Sequence, residues 1–204
     1  MLTRIAALAI AFTASANAGG FAKPASEDRA EAPRMIQPPT PDRDAVKAAL
    51  AKRRTHNLAA FHAYWTGGVY PHNTYRDGPL NVWRDENGHL CAAATMISKD
   101  GHDDLAQKTA NTNNNIRLLD VTKGELLDWM LTSGLTIEDI DMIQAPAIEP
   151  PHVDQKTLAA EDAKLLKGYK ATEIYLKKHV KDDLEMATDR LLERPELAWG
   201  LLGS

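Results

Sequence analysis

Apolar residues recur at helical spacing along most of the chain after residue 40, which predicts a mainly α-helical protein. The first run places five apolar side chains near one face of a helix over residues 41–66: Val46, Leu50, Leu58, Phe61 and Trp65. Thr40 is expected to cap this helix, and Gly67-Gly68 is expected to end it. The basic run Lys52-Arg53-Arg54 is expected to form its solvent-exposed side.

The next segment has the pattern of a β-hairpin rather than a helix. Residues 80–84 (LNVWR) alternate as a strand does, and residues 85–88 (DENG) form a turn because Asn-Gly tolerates positive φ. Residues 89–91 begin the return strand. Three consecutive alanines from Ala92 favour a short helix that ends near Gly101, and another is expected from Asp103 to about Ala110.

Two helix starts with similar capping sequences predict an αα-hairpin over residues 122–144. Thr122 and Glu125 have the spacing of a capping box, and Thr136 and Asp139 repeat it. A DNA-binding helix-turn-helix motif also has two short helices joined by a turn, but phosphate would repel the acids of the second helix. We therefore expect no nucleic-acid partner.

A long apolar stripe predicts helix over most of residues 157–193, ended by Pro195, with a bend or fraying between residues 177 and 183. The stripe consists of Leu158, Leu165, Tyr169, Leu176, Val180, Leu184, Ala187 and Leu191. We favour packing of this stripe within the chain. The alternative is a homodimer, in which residues 157–193 pair with a second copy.

Together these patterns predict a small helical domain with one β-hairpin, at residues 41–145, followed by a long C-terminal helical segment at residues 157–204. Proline-rich stretches flank the domain. Residues 19–40 are expected to be a disordered linker, because they have too few apolar residues to offset the entropy of ordering. Residues 146–156 are expected to be a second linker, because they contain three prolines.

The first 18 residues have the pattern of a secretory signal peptide. Arg4 is followed by the apolar run IAALAIAF and by Ala16-Asn17-Ala18, which has the A-x-A form of a cleavage site. An amphipathic or buried N-terminal helix is the alternative. Export to the periplasm or the extracellular space is therefore expected. No later apolar run approaches the roughly 20 residues of a membrane span.

Export makes a direct prediction about the N-terminus of the mature protein. Cleavage after Ala18 will leave Gly19 as the first residue, because the peptidase accepts only small side chains at the two positions that Ala16 and Ala18 occupy. Mass spectrometry of the exported protein measures this directly. Recovery of a chain that still begins with Met1 would refute export.

The amino-acid composition argues against several kinds of binding and metal site. The chain has 24 Lys and Arg residues against 28 Asp and Glu residues, so its net charge is −4, which argues against a basic nucleic-acid binder. A single cysteine excludes an internal disulfide and a multi-thiolate zinc site. The sequence has no phosphate-loop or dinucleotide-binding motif, and we expect no cofactor.

Three side chains are candidates for catalysis. His89 and Cys91 are two residues apart, so on a strand they would share a face, and His72 lies in a loop that is rich in aromatic residues. A cysteine nucleophile needs a base within hydrogen-bond reach. The alternative is that Cys91 is a small buried residue and His89 only flanks the turn.

The same loop could form a pocket for a sugar or an aromatic ligand, with His72 at its rim. The candidate ligand-binding residues are Tyr64, Trp65, Tyr70, Asn73, Tyr75 and Trp83. The alternative, which we favour because the chain has few aromatic residues, is that these rings form the core beneath the loop.

An acidic cluster at Asp100, His102, Asp103 and Asp104 does not fit an EF-hand, and helix capping explains it, so no metal site is predicted. With no catalytic motif, the function expected is non-enzymatic: a binding or structural component of the cell envelope or periplasm, with an unidentified protein or small-molecule partner. The alternative is a small hydrolase or lyase that uses His72, His89 and Cys91.

Overall fold

A computed structural model describes residues 39–74, 78–144 and 155–203, and these residues are mainly helical, as predicted. The proposed signal peptide and most of both proposed linkers lie outside the described residues. The described part contains eight α-helices: α1 (Arg43–Gly67), α2 (Ala92–Lys99), α3 (Asp103–Thr112), α4 (Glu125–Thr132), α5 (Ile137–Gln144), α6 (Gln155–Lys178), α7 (Val180–Leu192) and α8 (Pro195–Leu202). A single 3₁₀ turn, Leu118–Asp120, precedes α4.

Helix α1 follows the predicted range closely, but its cap differs from the prediction. Asp42, rather than Thr40, caps the helix, because its carboxylate accepts a hydrogen bond from the amide of Ala45 at 2.7 Å. The helix ends where expected. Gly68 adopts a left-handed conformation (φ +67°) that suits glycine at a helix C-terminus.

The β-hairpin prediction is wrong, although the turn itself forms. Only one isolated bridge, between Arg84 and Leu90, is present in the described segment. Asn114 limits the pairing, because its backbone carbonyl accepts from the amide of Trp83 at 2.8 Å and this amide is not available to the return strand. The side chain of Asn114 binds the backbone groups of Arg84, which face away from the return strand. The return strand also has no room to continue, because α2 begins at Ala92.

One of the two predicted capping boxes forms. The Thr136 hydroxyl accepts from the Asp139 amide at 3.0 Å, and the Asp139 carboxylate accepts from the Thr136 amide at 3.0 Å. The box at Thr122 is wrong. Helix α4 starts directly after Gly124, whose positive φ of +88° turns the chain there, so Thr122 lies outside the first turn.

The C-terminal region forms three helices rather than one. The helix is interrupted at His179, between α6 and α7, within the stretch where a bend was expected. Pro195 does not end the long helix, which stops at Leu192; it begins α8, because proline is tolerated in the first turn. The homodimer through residues 157–193 stays a prediction.

The apolar stripe of the C-terminal region is buried within the chain. Leu165, Tyr169 and Leu176 belong to a core cluster that also contains Phe61 and Trp83. A second cluster unites residues of α7 with residues of α1: Leu184, Ala187 and Leu191 with Val46 and Leu50. Both ends of α1 therefore contribute to the core on which the C-terminal helices pack.

Arg54 lies inside the protein, which contradicts its expected place on the solvent side of α1. Its side chain is 2% exposed. One guanidinium nitrogen donates to Asp139 at 3.0 Å and the other donates to Asp183 at 2.7 Å. The backbone carbonyls of Gly134 and Leu176 accept further hydrogen bonds. One side chain thus joins α1 to α5, to the turn before α5, to the end of α6 and to the start of α7.

Gly134 lets the turn between α4 and α5 approach α1 closely. It has a positive φ of +79°, and a Cβ at this position would lie 2.1 Å from the carbonyl oxygen of Leu50 and 2.5 Å from the amide nitrogen of Arg54. The close approach brings the Gly134 carbonyl within reach of the Arg54 guanidinium. Only glycine fits both the conformation and the space.

Candidate functional site

The three predicted catalytic side chains have separate partners. His72 faces Asp162, with Nε2 at 3.2 Å from the carboxylate, and His89 faces Asp85, with Nδ1 at 2.9 Å from the carboxylate. Cys91 Sγ accepts from the amide of Ala94. Among the described residues no hydrogen bond joins any two of the three. The catalytic role of these three side chains stays a prediction, and each of them contacts a different partner.

Cys91 caps the start of α2 and contributes to the core. It is the N-cap of that helix and is buried. Burial raises the pKa of its thiol to about 12, although backbone N–H groups nearby act in the opposite direction. A thiol with this pKa is almost entirely protonated at neutral pH, so it is a weak nucleophile.

Most of the predicted ligand-binding aromatic residues fill the core. Tyr64 and Tyr70 pack against the ring of Tyr169, with ring centroids 5.6 and 5.5 Å apart respectively. Trp83 is fully buried and its indole N–H donates to the carbonyl of Ala106 at 2.9 Å. Buried Asn73 donates to the carbonyl of Gly78. Tyr75 lies outside the described residues.

Trp65 takes part in a polar contact that the sequence does not reveal. Its indole N–H donates to the buried carboxylate of Glu173 at 2.7 Å, and His62 Nδ1 lies 3.0 Å from the same oxygen. Burial alone would raise the pKa of Glu173, but hydrogen bonds from His62, Lys177 and Trp65 hold it below its ordinary value. This contact fixes α6 against α1.

A cleft lies between the start of α3, helix α4 and helix α8. Its volume is about 730 Å³, within the range that small-molecule sites occupy. The lining residues are Gly101, His102, Asp103, Asp104, Leu105, Glu125, Asp128, Trp129, Thr132 and Leu197. We call this the α3–α4 cleft.

Two helix starts bring the carboxylates of the α3–α4 cleft together. Asp103 and Asp104 lie in the first turn of α3, and Glu125 and Asp128 lie in the first turn of α4. Acids at these positions also stabilise the positive end of each helix dipole. The α3–α4 cleft is therefore acidic because two helices begin at its edge.

The charges of the α3–α4 cleft are only partly compensated. Glu125 pairs with Lys108 at 2.6 Å, and that hydrogen bond lowers the pKa of Glu125. Asp103 accepts from the Ser98 hydroxyl. Within the described part of the chain, Asp104 and Asp128 form no ion pair, and no lysine or arginine is among the lining residues.

Trp129 gives the α3–α4 cleft a fixed apolar wall. Its indole N–H donates to Asp100 at 2.7 Å, and the same Asp100 carboxylate pairs with Arg53 of α1. Leu105 and Leu197 extend the wall. Charged and apolar side chains therefore both line the α3–α4 cleft.

The arrangement of the acids does not suit a metal ion. Over residues 39–74, 78–144 and 155–203, no three His, Cys, Asp or Glu side chains are grouped closely enough to hold one. An organic cation spreads its charge over a larger volume and does not need three ligands converging on one point. The carboxylates of the α3–α4 cleft would attract positive charge.

The sequence pattern identified half of these acids but not the α3–α4 cleft. Asp103 and Asp104 were interpreted as helix-capping and solvated charges. They do lie in the first turn of α3, but no side chain caps that helix with a hydrogen bond. The missing information was that Glu125 and Asp128, more than 20 residues later, begin a helix beside them. The acidic first turn of α4 was the available signal.

Comparison with known proteins adds no relative. No protein family, curated protein or solved structure matches the chain. None of the described helices is both long enough and apolar enough to cross a membrane. The function must therefore be argued from the residues and their geometry.

Proposed function

We propose that this chain is an exported, non-enzymatic binding protein of the cell envelope, and that the α3–α4 cleft receives a small organic cation. The signal-peptide pattern of residues 1–18 supports export. The observation that carries the binding proposal is a cleft of about 730 Å³ with four carboxylates and no lysine or arginine in its lining. An amine would be attracted to this rim.

The ligand that fits combines positive charge with an alkyl chain. The carboxylates at the α3–α4 cleft would bind ammonium groups, while Trp129, Leu105 and Leu197 would contact methylene groups. A diamine or polyamine has both features. Binding is favoured over catalysis because the lining contains neither cysteine nor serine, and its histidine, His102, is exposed.

Isothermal titration calorimetry of the whole chain with spermidine tests this proposal. We expect saturable binding to one site that weakens with added salt, because screening reduces the attraction between exposed charges. The double variant Asp104→Asn and Asp128→Asn should bind about tenfold more weakly or worse, since it removes the two carboxylates that have no ion pair.

A matched control distinguishes binding at the α3–α4 cleft from nonspecific attraction of spermidine to negative charge elsewhere on the protein. Asp44 and Asp182 are exposed acids in the first turns of α1 and α7, away from the cleft. Changing both to asparagine alters net charge equally and should leave spermidine binding intact. Equal weakening by both double variants, or tighter binding of succinate than of spermidine, would contradict the proposal.

A further inference from the structure

Helix α6 divides cleanly into a buried half and an exposed half. At about 3.6 residues per turn, the residues that pack on the core fall along one side: Leu165, Tyr169, Glu173 and Leu176. The opposite side is exposed and contains Ala159, Ala160, Ala163, Lys164, Leu166, Lys167, Lys170, Ala171, Ile174, Tyr175, Lys177 and Lys178. We call this second group the lysine face.

All the charge on the lysine face has one sign. From Leu158 to Lys178, every lysine of α6 is exposed, whereas Glu161, Asp162 and Glu173 are partly or fully buried. Two of these acids contact histidines of other segments: Asp162 faces His72 and Glu173 faces His62. Glu173 also pairs with Lys177, so the charge of that lysine is compensated. The face still has a net positive charge on a chain whose net charge is −4.

Apolar side chains are interleaved with these lysines. Ile174 is 61% exposed and lies near the middle of the lysine face, with Lys170 and Lys177 on one side and Lys167 and Lys178 on the other. Leu166 and Tyr175, at the two edges, are 42% and 43% exposed. Ile174 therefore lies between two rows of lysine, and Leu166 and Tyr175 lie outside these rows. Lysines next to exposed apolar side chains are typical of surfaces that contact a membrane interface.

We propose that the lysine face binds the surface of an anionic phospholipid membrane. Charge complementarity requires a negative partner, and the residue types favour lipid over protein. Lysine is depleted in protein–protein interfaces, where arginine is enriched, and the exposed half of α6 has no arginine. Lysines bind mobile headgroups as point charges, and their long stems let an apolar neighbour such as Ile174 reach between them.

The proposed contact is peripheral and does not depend on the α3–α4 cleft. Helix α6 stays packed through Leu165, Tyr169 and Leu176, and only its outer side meets the headgroups. No described helix is suited to cross the bilayer. The whole protein would therefore bind reversibly, through charge with a small apolar contribution.

Co-sedimentation of the mature chain, which begins at Gly19 and lacks the apolar leader, with vesicles tests the proposal. We expect binding to phosphatidylcholine vesicles that contain phosphatidylglycerol, no binding to pure phosphatidylcholine, and release by added salt. The triple variant Lys167→Gln, Lys170→Gln and Lys178→Gln should bind about tenfold more weakly or worse. In an Ile174→Trp variant, fluorescence should shift to shorter wavelength only with the anionic vesicles.

The matched control replaces three exposed lysines outside α6. Lys52, Lys123 and Lys181, changed together to glutamine, lower the net charge equally and should leave vesicle binding unchanged. Failure to bind anionic vesicles at low salt, or equal losses in the two triple variants, would overturn the proposal. Binding to polyglutamate as tight as to the vesicles would overturn it in favour of an acidic protein partner.

Discussion

Replacing Arg54 with methionine will lower the free energy of unfolding by about 3–5 kcal/mol, because it leaves buried carboxylates without their cation. Arg54 is the shared partner of Asp139 and Asp183. Methionine has a similar volume but cannot donate a hydrogen bond. The carbonyls of Gly134 and Leu176 would also lose their donor. Urea denaturation followed by circular dichroism measures the change.

The loss in the Arg54→Met variant should be smaller at acid pH. Burial and the nearby Asp139 already raise the pKa of Asp183, and Arg54 acts to lower it. Without Arg54 the folded-state pKa rises further above the unfolded value, so the folded variant binds a proton more readily. Its stability relative to the wild type will therefore increase as the pH falls from about 7 to about 5.

Lys52 supplies the matched control on the same helix. Lys52→Met removes one positive charge at an exposed position two residues earlier and should change stability by less than about 0.5 kcal/mol. A loss below about 1 kcal/mol for Arg54→Met at neutral pH would show that the buried network contributes little.

The second large effect is expected for Gly134→Ala, which should destabilise the protein by about 3–5 kcal/mol. The added methyl group would lie 2.1 Å from the carbonyl oxygen of Leu50 and 2.5 Å from the amide nitrogen of Arg54. Both are backbone atoms of α1, so neither can rotate away as a side chain could. Thermal denaturation and urea denaturation should show the same loss.

Gly68→Ala is the control that distinguishes the free-energy cost of a positive φ from the cost of a steric clash with α1. Gly68 also has a positive φ, +67°, but a Cβ there meets nothing within 4 Å. Its replacement should cost only about 1–2 kcal/mol, the price of a left-handed alanine. Equal losses in the two variants would mean that the approach of the turn to α1 is not the cause.

Helices were the most predictable part of the fold because their signals are local. The apolar spacing from Val46 to Trp65 identified α1, and the reciprocal pairing of Thr136 with Asp139 marked the start of α5. Both signals lie within a few residues of the structure they specify. A bend or fraying between residues 177 and 183 was also expected, and the helix break at His179 lies there, although the apolar spacing from Leu176 to Leu184 continues across it.

The errors came from partners that are distant in sequence. Residues 80–84 alternate as a strand does, but the backbone carbonyl of Asn114, from a distant part of the chain, binds the Trp83 amide that a longer return strand would use. Arg54 stands in a basic run that resembles a solvated helix side. Its burial depends on Asp139 and Asp183, 85 and 129 residues away, and nothing near Arg54 reveals them.

The α3–α4 cleft was hidden for the same reason. Each pair of its acids lies in the first turn of a helix, where acids are common for a local reason. The two pairs form one acidic surface only because α3 packs beside α4. The lysine face could have been found from sequence. Its lysines and apolar residues recur at helical spacing on the side opposite the buried stripe, and this spacing is visible in the sequence.

Burial of Cys91 has a practical consequence for measuring these properties. It is the only cysteine of the chain, and it is sealed inside the core at the start of α2. Alkylating reagents and foreign thiols will not reach it in the native state. A cysteine placed at an exposed position would then be the sole point of attachment for a spectroscopic label, with no need to remove the native one.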